Sequence, residues 1–239
     1  MSTQTRLVEV RQKVLKQNDV TARALRDRFH DAGIFVVSLV SSPGSGKTAF
    51  LEQLLTLVRK RHRTAALVGD LATDNDAVRL ARSSVPVKQI VTGTVCHLEA
   101  EMVKSAMEGW LPDHVEVLFI ENVGNLVCPS SYDLGENLRL VLMSVTEGED
   151  KPLKYPTIFN TADVAVITKI DLAAAVEFDS AAAHKSIQAV RPGMRIFELS
   201  SKSGAGMPAL LDFIESRIAE ARESRSAKAA QQASAPVAV

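Results

Sequence analysis

Ser41-Ser42-Pro43-Gly44-Ser45-Gly46-Lys47-Thr48 is the stretch that decides the fold. It follows the near-continuous apolar run 34–40 (IFVVSLV) and precedes an amphipathic helical pattern over 47–60. A strand, a glycine-rich loop and a helix in that order form the context a phosphate-binding loop requires. Glycines let backbone N–H groups turn inward as an anion nest, and the helix start adds a positive dipole end. Pro43, Gly44, Ser45 and Gly46 supply the loop, Lys47 the cation for the β/γ-phosphates, and Thr48 a hydroxyl for Mg²⁺. Ser41 stands where the motif usually has its first glycine, so the bland alternative is a glycine-rich turn capping a helix.

Working outward, the texture of 34–40 recurs at 64–69, 115–120, 163–168 and 195–199, with a weaker version at 87–91. Helical patterns at 47–60, 76–83, 97–109, 180–190 and 207–222 separate these runs. Fully apolar strands alternating with helices predict an α/β fold, a P-loop nucleotide-binding architecture with a mostly parallel sheet covered on both faces. The expected organisation is a helical extension over 1–32, one domain over 33–224, and a disordered Ala/Gln/Ser-rich tail over 225–239.

The chain has 239 residues, enough for one well-buried α/β domain. Its formal net charge is zero, so no global field favours nucleic acid or a membrane surface. No apolar run approaches the roughly 20 residues of a membrane helix. The N-terminus lacks the apolar core of a signal peptide, and the expected location is the cytoplasm. The two cysteines, Cys96 and Cys128, are expected to be free or metal-bound in such a reducing compartment.

Two carboxylates end apolar strands: Asp70 in Val68-Gly69-Asp70, and Glu121 in Glu121-Asn122-Val123-Gly124. Ligands of open α/β sheets bind at the carboxyl ends of strands, so both are read as catalytic or Mg²⁺-holding groups, together with Lys47 and Thr48. Glu121-x-x-Gly124 fits the pattern by which GTPases sense the γ-phosphate through a glycine N–H. Asp70 as a helix cap and Asp74 as an N-cap are the structural alternatives.

After the run ending near 167 comes Thr168-Lys169-Ile170-Asp171, which resembles the Asn-Lys-x-Asp loop of GTPases. Asp171 can accept both the N1–H and the 2-amino donors of guanine, a pair adenine lacks. Lys169 would cover the purine face. Ser201 and Lys202 lie in Ser200-Ser201-Lys202-Ser203-Gly204, which resembles the last GTPase loop, where a backbone N–H meets guanine O6.

Cys96, His97 and Cys128 offer two thiolates and an imidazole, a donor set suited to Zn²⁺ or Ni²⁺. Composition alone equally allows two buried structural cysteines and a surface histidine. Position favours the metal: Cys128 follows Gly124 by four residues, so a ligand there moves whenever the γ-phosphate loop moves.

Together these segments resemble one family closely, the nickel-incorporation GTPases of nickel–iron hydrogenase maturation, known as HypB. The resemblance rests on 41–48, on 69–76 (GDLATDND), on Cys96-His97-Leu98, on 121–129 (ENVGNLVCP), on 133–136 (DLGE) and on 151–156 (KPLKYP). It spans about residue 30 to about residue 220. The family tolerates the Ser41 variant. The resemblance implies GTP hydrolysis, GTP/GDP and Mg²⁺ as ligands, and Ni²⁺ or Zn²⁺ at Cys96, His97 and Cys128. It implies a GTP-favoured homodimer with the metal site near its interface. The partners it implies are a maturation protein and the hydrogenase large-subunit precursor, with no nucleic acid and no membrane. Lys151 and Lys154 are candidates for reaching the partner subunit's phosphates. Some members begin with a Cys-rich motif and others with a His-rich stretch. In this sequence only His30 and His62 precede Cys96, so metal binding rests on the later three residues. Three alternatives remain: a related GTPase serving urease or another metalloenzyme, a metal-storage module with regulatory nucleotide binding, and a small-molecule kinase.

Overall fold

The computed structural model describes residues 3–70 and 75–234. Seven strands form one sheet: β1 (Phe35–Ser41), β2 (Thr64–Asp70), β3 (Val87–Val91), β4 (Val117–Glu121), β5 (Leu138–Ser144), β6 (Val164–Thr168) and β7 (Arg195–Glu198). Their order is β3-β2-β4-β1-β5-β6-β7, with every neighbouring pair parallel. The helices are α1 (Thr3–Ala32), α2 (Lys47–Val58), α3 (Asn75–Ala81), α4 (Ala100–Met107), α5 (Lys151–Lys154), α6 (Pro156–Thr161), α7 (Ser180–Val190) and α8 (Met207–Ser234).

Central β1 is buried at all seven residues because helices cover both faces. Phe35, Val37 and Leu39 join the cluster beneath α2 and α8. Val36 packs with the α1 and α4 side, and Val40 with the α6 and α7 side. This alternation is the period of two expected of a strand.

Three expectations are corrected. β5 was not foreseen, because Arg139 interrupts its apolar run. The guanidinium is nonetheless buried: its Nε donates to Glu136 Oε1 at 2.6 Å and its Nη2 to the Tyr132 carbonyl at 2.6 Å. α8 continues past residue 224 to Ser234, so 225–234 are helical; alanine, glutamine, lysine and arginine all favour helix there. Residues 235–239 lie outside the described residues. The helix expected over 97–109 begins only at Ala100, which leaves Cys96 and His97 in the loop before it.

α1 is one continuous helix and lies against α4. Its buried stripe is Asn18, Ala22, Leu25 and Phe29, spaced for one helix face. Gly135, at φ +81°, lets the chain pass close under α1; a Cβ there would come within 2.9 Å of the Ala22 carbonyl oxygen. Among the described residues no helix is long and apolar enough to cross a membrane.

Candidate functional site

The phosphate loop connects β1 to α2 at the carboxyl edge of the sheet. Gly46, at φ 87°, is the N-cap of α2 and offers no side-chain hydrogen bond, so the first-turn N–H groups face the loop. A cleft of about 440 Å³ opens there, lined by 41–49 and by Asp70, Arg79, Val123 and Gly124. Lys47 Nζ donates to Glu121 Oε1 at 2.9 Å, and Thr48 Oγ1 donates to the same oxygen at 2.7 Å. Glu121 is fully buried, and its Oε2 has no hydrogen-bond partner. Lys47, Thr48 and Glu121 are thus brought together, with Asp70 on the cleft wall. The oxygen donors of Thr48, Asp70 and Glu121, with one buried carboxylate oxygen left over, fit a hard cation such as Mg²⁺. Asp74 lies outside the described residues. Arg79 is a cation at this cleft that the sequence reading missed; its Nε donates to Glu52 Oε2 at 3.1 Å.

Gly124 lies directly on the loop: a Cβ there would come within 3.2 Å of Pro43 Cα and N. Any side chain would wedge the two loops apart, which gives the glycine of Glu-x-x-Gly a steric reason.

The residues expected to read guanine lie on the other side of the phosphate loop. Thr168 Oγ1 donates to the Ser45 carbonyl at 2.6 Å, so the hydroxyl that replaces the usual asparagine ties this loop to the phosphate loop. Lys169 lies across Gly46 and donates from Nζ to the Gly44 carbonyl at 2.6 Å. Asp171 is exposed, and its Oδ1 accepts the Ser200 hydroxyl at 2.5 Å. Buried Ser200 also accepts from the Lys202 and Ser203 N–H groups, each at 3.2 Å. The loops carrying Asp171 and Ser201 are therefore one hydrogen-bonded unit, joined by Ser200, which the sequence reading did not single out. Lys151 and Lys154, by contrast, are engaged locally, with Glu147 at 3.1 Å and Asp150 at 2.6 Å.

The ligand atoms of Cys96, His97 and Cys128 lie within 4.8 Å of one another. Cys96 Sγ is 2.9 Å from Cys128 Sγ, and neither cysteine is in a disulfide. Both ring nitrogens of buried His97 lack hydrogen-bond partners. Glu99 Oε1 approaches Nε2 at 3.4 Å without the alignment of a hydrogen bond. The Tyr132 ring stacks on the imidazole at a centroid distance of 4.0 Å. The Cys128 thiol, together with burial, pushes the Cys96 thiol up. Burial pushes the His97 imidazole down, and the Glu99 carboxylate works the other way. A neutral imidazole with buried, unpartnered nitrogens beside two thiols is a set prepared to trade protons for a soft or borderline metal.

Two asparagines join the cluster to the nucleotide side. Asn122 is buried directly after Glu121, and its Oδ1 accepts the Leu98 N–H at 3.0 Å and the Val123 N–H at 2.9 Å. Asn125 donates from Nδ2 to the Cys96 carbonyl at 3.3 Å and accepts the Val127 N–H at 2.8 Å. Both sit inside the 121–129 block, but only the fold shows that their side chains cross to 96–98.

The CobW/HypB/UreG nucleotide-binding domain matches this chain over residues 35–198. The hydrogenase maturation factor HypB of Azotobacter chroococcum mcd 1 is 44% identical over 213 residues, 89% of this chain and 70% of that protein. The hydrogenase/urease maturation factor HypB of Helicobacter pylori (strain ATCC 700392 / 26695) is 42% identical, covering 87% of this chain and 86% of that one. The crystal structure of HypB from Helicobacter pylori in complex with nickel shares the fold at a TM-score of 0.80, 41% identity, and coverage of 85% and 96%. Fold and site define a P-loop nucleotide-binding protein with a thiol–imidazole cluster at its phosphate edge. The matches extend across both features and most of the chain. The chain belongs to the HypB family of hydrogenase maturation factors, a family of nickel-binding GTPases.

Proposed function

We propose that this chain is a GTP-hydrolysing metallochaperone that delivers nickel during hydrogenase maturation, with metal affinity set by nucleotide state. The observation that carries the coupling is the pair of asparagine side chains, Asn122 and Asn125, that link the Glu121–Gly124 loop to Cys96 and Leu98. In this reading Asp171 accepts the guanine donors while Ser200 holds its carboxylate, and Lys169 covers the base. Lys47 leaves Glu121 for the phosphates, and the loop N–H groups of 43–48 bind phosphate oxygens. Mg²⁺ held by Thr48, Asp70 and Glu121 would neutralise charge on the transferring phosphoryl group. Cys96, His97 and Cys128 hold Ni²⁺ as cargo, or Zn²⁺ in its place.

The working unit in this reading is a GTP-favoured homodimer in the cytoplasm, with the GTPase domain over 33–224 and residues 1–32 as a helical extension. It acts with a maturation partner on the hydrogenase large-subunit precursor. The name of the Helicobacter pylori relative also includes urease, so a second nickel enzyme is a further client class for this chain. The test is metal-resolved native mass spectrometry in the GDP state and with a non-hydrolysable GTP analogue. Nickel occupancy that differs between the two states, and disappears in a Cys96→Ala/Cys128→Ala variant, is the expected result. Equal occupancy in both states refutes the coupling.

A further inference from the structure

We infer that Asn18 of α1 is a positioning residue for the Cys96–His97–Cys128 cluster, clamping together the two chain segments that carry it. This rests on the metal reading above. Asn18 is the one polar member of the buried α1 stripe it forms with Ala22, Leu25 and Phe29. Helix packing alone asks for an apolar side chain there. A buried amide is tolerated only when its hydrogen bonds are made.

Both ends of the Asn18 amide are used, one on each metal-bearing segment. Its Oδ1 accepts the Ala100 N–H at 2.9 Å. Ala100 opens α4, and the N-cap residue Glu99 makes no side-chain hydrogen bond to that helix, so Asn18 supplies the missing cap from another element. Cys96 and His97 lie in the loop that leads into it, separated from Ala100 by Leu98 and Glu99. The Asn18 Nδ2 donates to the Asp133 carbonyl at 2.9 Å. Asp133 follows the short 3-10 turn Cys128–Ser131 and adjoins Tyr132, whose ring lies on His97.

Two turns along α1, Arg26 Nη2 reaches both carboxylate oxygens of Asp133 at 2.7 Å. The cluster residues come from segments 32 positions apart, and α1 touches both. The helix is therefore the ruler that sets the thiol-to-thiol separation. Outer groups that orient metal ligands typically cost about 10- to 100-fold in metal affinity when removed.

The test uses the full chain and Asn18→Leu, which completes the apolar stripe and removes both clamping bonds. Zn²⁺ affinity is measured by competition with a chromophoric chelator, and Ni²⁺ binding by thiolate-to-metal absorption. GDP affinity is read alongside. Expected is a loss of about 10-fold or more in Zn²⁺ affinity with a changed Ni²⁺ spectrum and unchanged GDP affinity. Asn18→Asp keeps the acceptor for Ala100 and loses the donor to Asp133, so its loss should be partial. It also serves if the leucine variant does not fold. In a Cys96→Ala/Cys128→Ala background, Asn18→Leu should change nothing further. Wild-type metal affinity and spectrum in both Asn18 variants overturn the proposal, as does parallel loss of GDP binding in both. Retained metal in the cysteine variant alone instead removes the metal reading on which the proposal stands.

Discussion

Asn122 Oδ1 accepts the Leu98 backbone N–H at 3.0 Å, joining the residue after the buried Glu121 to the residue after His97. Glu121 in turn holds Lys47 and Thr48 of the phosphate loop. One covalent step on either side of this hydrogen bond therefore reaches Glu121 at the phosphate loop and His97 of the thiol–imidazole cluster. A change that moves Glu121 must either carry Leu98 with it or break the bond.

This relationship predicts the phenotype of Asn122→Ala. Two buried N–H groups, of Leu98 and Val123, lose their acceptor, at a stability cost of about 1–3 kcal/mol. The allosteric consequence is more specific. Coupling between nucleotide and metal is expected to be about 1–3 kcal/mol, a 5- to 150-fold affinity change, and is reciprocal. In the variant the ratio of Ni²⁺ affinities between the GTP-analogue and GDP states should fall toward one. A ratio unchanged from wild type would exclude Asn122 and leave Asn125 and Cys128 to carry the coupling.

Base choice provides a second expectation. Asp171 is held by the Ser200 hydroxyl at 2.5 Å. Asp171→Asn should weaken GTP binding by on the order of 1–3 kcal/mol, because a donor amide then faces guanine donors. Xanthosine triphosphate, with a carbonyl at C2, should gain relative to GTP. Ser200→Ala should weaken GTP less than Asp171→Asn, since it loosens the carboxylate without removing it. Titration of a fluorescent nucleotide measures all three, and wild-type GTP affinity in the Asp171 variant would remove the guanine assignment.

Hydrolysis is the third. Phosphoryl transfer depends mainly on positioning and charge neutralisation. Lys47→Ala and Thr48→Ala should abolish turnover, and each removes one hydrogen-bond donor to Glu121. Asp70→Ala should lose turnover with the fold intact. Arg79→Ala should slow turnover while leaving GDP affinity near wild type, because it removes a cation from the cleft wall. Phosphate release under single-turnover conditions separates these effects, and normal release by the Lys47 variant would end the catalytic reading.

The loops at the strand ends were legible in the sequence because each is a short contiguous motif fixed to the end of an apolar strand. The parallel sheet was legible for the same reason, since doubly covered strands carry unbroken apolar runs. β5 escaped because Arg139 looks like a break until Glu136 and the Tyr132 carbonyl are folded around it. Cys96, His97 and Cys128 were found as types, but their closeness came only from the fold. The polar bridges Asn18, Asn122 and Ser200 act across long sequence separations, and an asparagine or serine in a loop or helix has no periodic signature. Asn18 even occupies a core position, where only its two partners reveal why it is polar.

Metal affinity should depend on pH in a way the cluster specifies. The Cys128 thiol and burial raise Cys96, so without metal this thiol is protonated at neutral pH. Burial lowers His97, so its imidazole is already neutral there and has no proton to lose. Binding near neutral pH therefore displaces a proton from Cys96, and affinity must fall as pH falls. Only in more acid solution, below the ordinary imidazole range of about 6.5, should His97 add its own proton to the competition. Cys128→Ala removes the neighbouring thiol that raises Cys96. The pH profile of Cys96 alkylation should then move to lower pH. The alkylation profile needs no metal, so it tests the thiol pair independently of any nickel-binding claim. A Cys96 profile identical with and without Cys128 would mean that the 2.9 Å thiol contact does not persist in solution.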